Sequence, residues 1–507
     1  MAVPTAVAPS VRSPGVYMSV NLLAGTSSPG SGQLKVLLLG TKSSAGTATA
    51  DTQLSTNVAP SDVQTLAGIG TPAHLASKRL FEEYGLAAVD YAAPAVSAGV
   101  GATFTLTFAS TPTIAQTFTL IVQGRTMQTT WAAGVTATTF AGTVATMIGA
   151  NTAYVSVTAA NGGTAVCTGT AKFVGSWAND IIVYALLSGG SGGTVDGALT
   201  VTKNMTSGTL SADPTNVLSL VTTREYAFIL LCDGNVAAQI AGATNPYAKI
   251  NVQIALYNSG LNALLQQQII GFSGTPTQAN TVGGIFNVGT NCLAYTNAGM
   301  SLPCEYAAAE CGARLREITT DPAVNRIGMV YRAALSGPLD TVASKITATQ
   351  QESALNNGVS VNDFGQDGLL FPVRPITTYA TDTNANADNR LLDVSRVDGT
   401  YAVARDHRTR IPQLFKGKKI VKTIGAGQEL PLNTVTEAIV RTASINIVRY
   451  WVPQGVVQGV PLEAAIADGS YIVIVDPTDS SQVDFVIPLK IVPPLAKFSQ
   501  VVNHVGP

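Results

Sequence analysis

The stretch Leu34-Lys-Val-Leu-Leu-Leu39, closed by Gly40, is the clearest structural signal in the chain. It is a short apolar run with the length and composition of a strand that is buried on both faces. A second run of this kind, Tyr226-Ala-Phe-Ile-Leu-Leu231, follows much later. Buried strands that alternate with helices are typical of a partly parallel sheet with helices packed against it.

The segments around these two runs carry helical patterns. Ser61-Asp62 suits a helix N-cap, and the stretch from about Pro72 to Tyr84 has apolar residues at helical spacing. Ala248 to Gln268 and Pro303 to Ile318 are the next two predicted helices. The predicted fold class is therefore mixed α+β and α/β with several domains, built on a central α/β core.

The sequence changes abruptly between about residues 91 and 212. Thr, Ala, Gly and Val dominate, and the charged residues reduce to Arg125, Lys172, Asp180, Asp196 and Lys203. Short stretches that alternate between apolar and polar residues predict strands, and Thr143 to Ile148 predicts one short helix. We interpret this region as a β-rich domain inserted into the α/β domain, with a flexible Gly/Ser segment, Ser188 to Gly193, near its end.

Both termini contain an alternating segment. In the first 33 residues, Val16, Met18, Val20 and Leu22 share one side of a predicted strand that Pro- and Gly-rich sequence surrounds. This segment is either a frayed end or an arm that adds a strand to another subunit's sheet. Near the other end, residues 483–492 alternate in the same way, and Pro488 predicts an edge strand or a bulge there.

Composition limits the class of protein. Of 507 residues, 12% are charged and 46% are apolar, and the formal net charge is −1. These values exclude a disordered chain and give no bulk charge for binding nucleic acid or a membrane surface. No secretory signal and no membrane-spanning run is evident, and five cysteines without a close pair predict reduced thiols. A charge-poor surface of this size is expected to be covered by other copies of the chain.

No arrangement of residues for catalysis or cofactor binding is found. The three histidines are scattered, and neither a phosphate-binding loop nor a dinucleotide fingerprint occurs. The run from Asp382 to Asp388 resembles a calcium-binding loop, but its sixth position is Ala387 and its twelfth is Asp393. It is predicted to be a solvated loop, and the prediction for the chain is no metal and no cofactor.

A local positive field covers residues 405–422. It holds seven basic residues against one acidic residue, Asp406: Arg405, Arg408, Arg410, Lys416, Lys418, Lys419 and Lys422. This run is either a solvated loop or a docking surface for an acidic partner. Nucleic acid is the weaker alternative, because Phe415 is the only aromatic residue within the run.

Four stretches, taken in order, carry a family resemblance. They are the arm sequence Ser13-Pro-Gly-Val-Tyr17; Thr170-Ala-Lys172 with Gly175-Ser-Trp-Ala-Asn179; Phe371-Pro-Val-Arg-Pro-Ile-Thr-Thr-Tyr379 with Leu391-Leu-Asp393 and Arg408-Thr-Arg410; and Gly455 to Glu463 with Pro494-Leu-Ala-Lys-Phe498. Together they resemble the tail sheath proteins of contractile-tailed bacteriophages, most nearly the Mu-like type. The central region matches only in texture.

The resemblance implies an architecture and a function. Sheath subunits polymerise as a helical sleeve of stacked rings around a tail tube, and the sleeve contracts to drive the tube through the host envelope. The implied partners are other copies of the chain, the tube protein, and baseplate and tail terminator proteins, in a virion tail assembled in the host cytoplasm, with no direct contact to nucleic acid and no insertion into a membrane. The implied parts are an arm and linker over 1–33, a central domain over 34–90 plus 213–370, an outer domain over 91–212, and a C-terminal domain with a strand arm over 371–507.

The resemblance also assigns roles to residues. The N-terminal arm that enters a neighbour would carry Val16, Tyr17, Met18, Val20 and Leu22. The C-terminal arm would carry Phe485, Ile487, Leu489, Ile491 and Phe498. Docking to the tube or to another subunit would involve Arg408, Arg410, Lys416, Lys418 and Lys419. The alternatives are another self-assembling virion or surface-layer protein and, less favoured because no catalytic constellation is found, an enzyme.

Overall fold

The computed structural model describes most of the chain beyond the first 33 residues. The described residues are 34–96, 100–151, 156–189, 195, 197–201, 205, 212–222, 224–232, 245–259, 266–338, 344–365, 367–382, 384–388, 390–425 and 429–494. Every structural statement below concerns these residues.

The described residues form a mixed α/β structure with several sheets. Helices α1 to α11 are Pro60–Ala67, Pro72–Glu83, Ala137–Ala150, Thr215–Ser219, Pro246–Ser259, Pro276–Phe286, Pro303–Thr320, Ala348–Asn356, Val394–Phe415, Glu437–Arg449 and Gly459–Ala467. Strands β1 to β10 are Lys35–Leu39, Leu54–Ser55, Ala88–Ala92, Thr103–Ala109, Gln116–Val122, Arg125–Trp131, Val157–Asn161, Val166–Ala171, Val183–Gly189 and Ala198–Val201. Strands β11 to β19 are Phe228–Leu231, Gln267–Gly274, Asn291–Asn297, Ser360–Phe364, Leu370–Pro372, Lys419–Val421, Thr434–Thr436, Ile472–Val475 and Val483–Val486.

The largest sheet has eight strands in the order β15-β14-β13-β12-β11-β1-β3-β2. The six strands from β14 to β3 run parallel, and the two outermost strands are antiparallel. The two apolar runs of the sequence lie side by side at its centre, with Val36 in register with Phe228. Strands from both sides of the inserted region therefore build one sheet.

Both faces of this sheet are covered, which explains why β1 and β11 are apolar without interruption. Leu37, Leu39, Ile229 and Leu231 belong to one core cluster with residues of α5 and α6. Val36, Leu38, Phe228 and Leu230 belong to a second cluster with residues of α2 and α7. Because successive side chains of a strand point to opposite faces, a run of four apolar residues serves two cores.

Helix α7 packs unusually closely against its neighbours. A Cβ atom on Gly271 of β12 would lie 1.7 Å from the carbonyl oxygen of Pro303, the first residue of α7. A Cβ atom on Gly312 of α7 would lie 2.7 Å from the carbonyl oxygen of Leu80 in α2. These two glycines let the α7 backbone approach both the sheet and α2.

The inserted region contains a four-stranded sheet, β10-β4-β8-β7, and a three-stranded sheet, β6-β5-β9, which pack with α3. Its core holds Phe108, Phe118, Trp131 and Phe140, and the Trp131 and Phe140 rings stack with centroids 4.7 Å apart. The region is joined to the central domain by more than its chain connections. The Ser156 hydroxyl donates a hydrogen bond to the Gly70 carbonyl oxygen, and a shared apolar cluster runs through both domains.

In the C-terminal part of the chain, α9, α10 and α11 pack around two short sheets. The parallel pair β16-β17 and the antiparallel pair β18-β19 each have two strands. Their shared core includes Val403, Val448, Val456, Leu462 and Tyr471. Among the described residues, no third strand pairs with either sheet.

Several sequence predictions differ from the structure. Ser61-Asp62, predicted as a helix N-cap, lies inside α1, whose N-cap is Ala59, and the strand predicted over residues 483–492 ends at Val486. The predicted helix from Ala248 to Gln268 is instead α5, which ends at Ser259, while Gln267 begins a strand. The short helix predicted over Thr143 to Ile148 is the central part of the longer α3. In the segment from Ala248 to Gln268, apolar residues at helical spacing continue in the sequence beyond Ser259. The pattern alone therefore did not indicate where the helix ends.

We expect Gly271→Ala to destabilise the chain by about 1–3 kcal/mol, because the added methyl group overlaps the Pro303 carbonyl. The matched control is Gly142→Ala in α3, where an added Cβ meets nothing within 4 Å. Removing that helical glycine should stabilise the chain by about 0.5–1 kcal/mol. Chemical denaturation of both variants measures the difference, and equal midpoints would contradict the close approach of α7.

Candidate assembly surface

The basic run of the sequence spans the end of α9 and the strand β16. Arg405, Arg408 and Arg410 lie in the last third of α9, and Lys419 begins β16. Helix α9 contains Pro412 in its last turn and ends at Phe415. The seven cations are therefore divided between a helix that packs on the protein and a more exposed segment after it.

Two of the arginines have partners within the chain. The Nη2 atom of Arg408 lies 2.8 and 2.7 Å from the two carboxylate oxygens of Glu225. Arg410 pairs with Asp406 one turn earlier at 2.6 Å and lies over the Tyr450 ring. Glu225 lies far from the basic run in sequence, just before β11, so no local pattern could have identified it.

The four lysines of the run are exposed. They are Lys416, Lys418, Lys419 and Lys422. Lys418 donates a hydrogen bond of 3.4 Å to the side chain of Asn433. Leu414 and Leu432 in the same part of the domain are 55% and 86% exposed. This segment thus combines unpaired positive charge with exposed apolar side chains, a combination that favours a protein partner over a purely solvated loop.

Three buried polar side chains near this segment, His407, Ser444 and Tyr471, form a row of hydrogen bonds. The Nε2 atom of His407 is 2.8 Å from the Ser444 hydroxyl, which is 2.7 Å from the Tyr471 hydroxyl. The His407 ring also contacts the Phe485 ring edge to face. Burial lowers the pKa of His407 to about 4 and raises that of Tyr471 to a value well above its usual range. With His407 and Tyr471 uncharged, this row of hydrogen bonds links α9 and α10 to the β18-β19 hairpin.

The sheet β18-β19 offers two strand edges that are unpaired within the described residues. In β18 the side chain of Val473 is buried, whereas all four residues of β19 are half-buried. Strand β19 ends at Val486, so the strand predicted over residues 483–492 is shorter than expected and Pro488 lies outside it. A proline cannot donate a hydrogen bond to a strand ladder, which is consistent with an end of the pairing before this residue. Open edges of this kind accept a further strand through main-chain hydrogen bonds.

The structure describes four of the five residues assigned to the C-terminal arm. Phe485 lies in β19, Ile487 is half-buried, and Leu489 and Ile491 are 5% and 8% exposed. Ile491 also forms an antiparallel bridge with Val457. Within one chain these residues therefore pack in their own domain. Phe498 and the five residues assigned to the N-terminal arm lie outside the described residues, and the roles of both arms stay predictions.

The carboxyl edge of the central parallel sheet is the usual ligand site of α/β folds. Here residues from the region between 91 and 212 cover part of it. Trp177 and Asp180, from a short 3-10 helix, line a cavity of about 10 Å³ together with Leu231, Gly271 and Pro303. That volume has room for about one water molecule. Burial raises the pKa of Asp180 to about 8.

The loop that resembles a calcium site uses its oxygens within the chain. Asp382 accepts hydrogen bonds from the backbone N–H groups of Asn384 and Asn386. Asp388 accepts hydrogen bonds from the Tyr379 hydroxyl and from Arg390, which lowers the pKa of its carboxyl. Among the described residues, no group of three His, Cys, Asp or Glu side chains is placed to hold a metal ion.

The described helices include none with both the length and the apolar character needed to span a bilayer. The five cysteines are buried free thiols.

Comparison with known proteins yields structural matches. No protein-family model and no curated protein matches the chain. It is similar to the sheath tail protein of Desulfitobacterium hafniense at 13% identity, over 94% of this chain and 100% of that one, with a TM-score of 0.43. It is similar to the sheath tail protein of Listeria innocua at 12% identity, over 86% and 88% of the two chains, with a TM-score of 0.41. It is also similar to the contracted helical sheath of the anti-feeding prophage at 11% identity, over 98% and 99%, with a TM-score of 0.44.

The buried His407 predicts a pH dependence of stability. Its pKa is about 4 in the folded chain and 6.5 when unfolded, so the unfolded state takes up the proton first as the pH falls. Stability from this group is complete above pH 6.5 and is lost towards pH 4, by about 2–3 kcal/mol. In His407→Gln, an amide replaces the imidazole and cannot be protonated.

We therefore expect the free energy of unfolding of His407→Gln to fall less steeply than that of the wild type between pH 6.5 and 4.5. Urea denaturation at a series of pH values measures both slopes. His74, whose pKa is also lowered to about 4, contributes equally to both proteins. Parallel slopes would show that His407 is accessible to protons in the folded chain.

Proposed function

We propose that this chain is the structural subunit of a contractile tail sheath. Copies polymerise as a helical sleeve of stacked rings around a tail tube, and contraction of the sleeve drives the tube through a host envelope. The ordered sequence motifs from Ser13 to Phe498 support this function. The observation that carries it is the two-stranded sheet β18-β19, whose two edges are unpaired among the described residues, in a chain with an alternating segment near its N-terminus and further sequence after Pro493-Pro494.

Strand addition gives a subunit contact of the required kind. A donated strand makes several main-chain hydrogen bonds, each contributing about 0.5–1.5 kcal/mol net, and its alternate side chains enter apolar sites. We assign the N-terminal donor strand to Val16, Tyr17, Met18, Val20 and Leu22. The C-terminal donor begins after Pro493-Pro494 and includes Phe498, while Phe485, Ile487, Leu489 and Ile491 form the base from which it leaves.

The tethers of these arms are suited to a contact that must persist while subunits move. Pro14-Gly15 and the segment from Gly25 to Gly32 flank the N-terminal strand, and Pro493-Pro494 precedes the C-terminal one. Rotation at these residues changes the angle between subunits without breaking the strand ladder. Subunits then repack largely as rigid bodies, and no nucleotide hydrolysis is needed.

The remaining features are assigned from this function. The C-terminal domain faces the tube, and the β-rich inserted domain faces outward. The lysine segment and Arg408-Thr-Arg410 dock to an acidic surface of the tube or of another subunit. Baseplate and tail terminator proteins cap the two ends, and the sequence motifs favour the Mu-like type of virion tail. Another self-assembling virion or surface-layer protein is the alternative, and closed or planar assemblies would identify it.

Removal of residues 1–24 tests the N-terminal arm. The full chain should form tubular polymers that negative-stain electron microscopy detects, and the truncated chain should remain unassembled. The control is circular dichroism with thermal unfolding, because loss of a donated strand leaves the fold of the single chain intact. Tubes of normal length from the truncated chain would contradict strand donation by this arm.

Charge reversal tests the lysine segment. In Lys416→Glu/Lys418→Glu/Lys419→Glu, three exposed cations become anions, so docking to an acidic partner should weaken by at least about tenfold. Co-sedimentation of sheath with purified tube measures the effect at two salt concentrations. The control reverses exposed cations elsewhere, Arg332→Glu and Lys345→Glu. Normal assembly of the triple variant would remove this segment from the interface.

A further inference from the structure

Arg405 is the exception among the buried arginines of the described chain. Its side chain lies on α9 and the residue is 9% exposed, yet the structure records neither a hydrogen bond nor an ion pair for its guanidinium. The other buried arginines, Arg79, Arg314 and Arg326, each pair with a carboxylate at 2.9 Å or less. None of its nitrogens is among the fully buried, unpartnered side-chain atoms of the described residues, so the guanidinium contacts solvent and lacks only an acceptor from the protein.

A second polar group without a partner lies one helical turn away. The hydroxyl of Tyr401 makes no hydrogen bond, and this residue is 1% exposed. Residues four apart on a helix share a face, and the charge of Arg405 acts on the Tyr401 hydroxyl. The guanidinium of Arg405 and the hydroxyl of Tyr401 therefore lie on one face of α9, and the structure records no protein acceptor for either.

The charges around this locus do not balance. Glu225 is close enough to act on Arg405, but both of its oxygens bind Arg408. Asp398 also acts on Arg405, and it binds Arg314 and Gln267. The two carboxylates thus serve two other arginines, and one positive charge remains. The locus reaches the surface beside the Arg408–Glu225 pair, whose side chains are 23% and 48% exposed.

We propose that Arg405 forms a binding site for one carboxylate, supplied by an acidic side chain of a second copy of this chain. A single carboxylate neutralises the one uncompensated charge and accepts two parallel N–H bonds from the guanidinium. A phosphate dianion would exceed the charge by one. The identity of the partner, a second copy of this chain, rests on the proposed self-assembly. The carboxylate site itself does not.

The chain itself carries suitable donors. Glu463 and Asp468 are exposed carboxylates of the C-terminal segment, and Asp479 is half-buried. Glu463 binds Arg449, an exposed pair that exchanges partners at little cost. The C-terminal domains of neighbouring copies meet in the proposed sheath, so a carboxylate of one can reach α9 of the next.

The first experiment uses the dilute, unassembled full chain. Arg405→Met removes a charge that no carboxylate of its own chain pairs with, so its Tm should equal that of the wild type or exceed it by about 2–4 °C. The control Arg314→Met removes a buried arginine that is paired with Asp398, and its Tm should fall. A clear fall in the Tm of Arg405→Met would show that Arg405 is satisfied within its own chain and would overturn the inference.

The same assay tests the ligand class with small anions. Sodium acetate should raise the Tm of the wild type above its value in sodium chloride of equal ionic strength, and Arg405→Met should lose this difference. Inorganic phosphate should act no more strongly than chloride. A phosphate effect larger than that of acetate would overturn the carboxylate assignment.

The second experiment measures assembly. The critical concentration for tubes should rise at least about tenfold in Arg405→Met. Double mutants with Glu463→Gln, Asp468→Asn and Asp479→Asn identify the donor as the one whose effect is lost in the Arg405→Met background. Equal critical concentrations, or additivity with all three, would overturn the second copy as occupant while the sheath function stands. Closed shells from the wild type would instead contradict the sheath function, and the thermal assay would still decide on the site.

Discussion

The buried ion pair between Arg314 and Asp398 holds the central and C-terminal domains together. Arg314 lies on α7 and is 1% exposed, and its guanidinium contacts Asp398 of α9, the side chain of Gln267 in β12 and the ring of Phe228 in β11. Either partner alone would leave an uncompensated charge in the interior, which costs about 3–5 kcal/mol. The relative position of the two domains is therefore fixed by a contact that tolerates little displacement.

Other charges along α7 act in the same way. Glu305 binds Arg79 of α2, Glu310 binds Arg326 and the Tyr331 hydroxyl, and Arg316 binds Glu83. One helix thereby joins the sheet, α2, the following loop and α9. In the proposed sheath, these buried ion pairs would hold the described part of each subunit together during contraction.

The sequence predicted what depends on local pattern. The apolar runs at residues 34–39 and 226–231 are β1 and β11, and the helices predicted at Pro72 and Pro303 begin at those residues. Contacts between distant segments could not be predicted. Asp398 carries no local sign of its partner Arg314, and Glu225 lies 183 residues from Arg408. The basic run was predicted as one positively charged region. In the structure Arg408 and Arg410 pair with carboxylates, whereas the lysines are exposed and Arg405 is the only one of the three arginines without an ion pair among the described residues.

A polymer that changes shape needs two kinds of subunit contact. Main-chain strand ladders are insensitive to the identity and angle of the neighbouring surface, so they hold copies together in every state. They cannot, for the same reason, favour one state over another. The proposed contact between Arg405 and a carboxylate of another copy has the opposite property, because its hydrogen bonds form only within a narrow range of distance and angle. Such a contact, made in one arrangement of subunits and absent from the other, supplies the differential free energy that a two-state sheath requires.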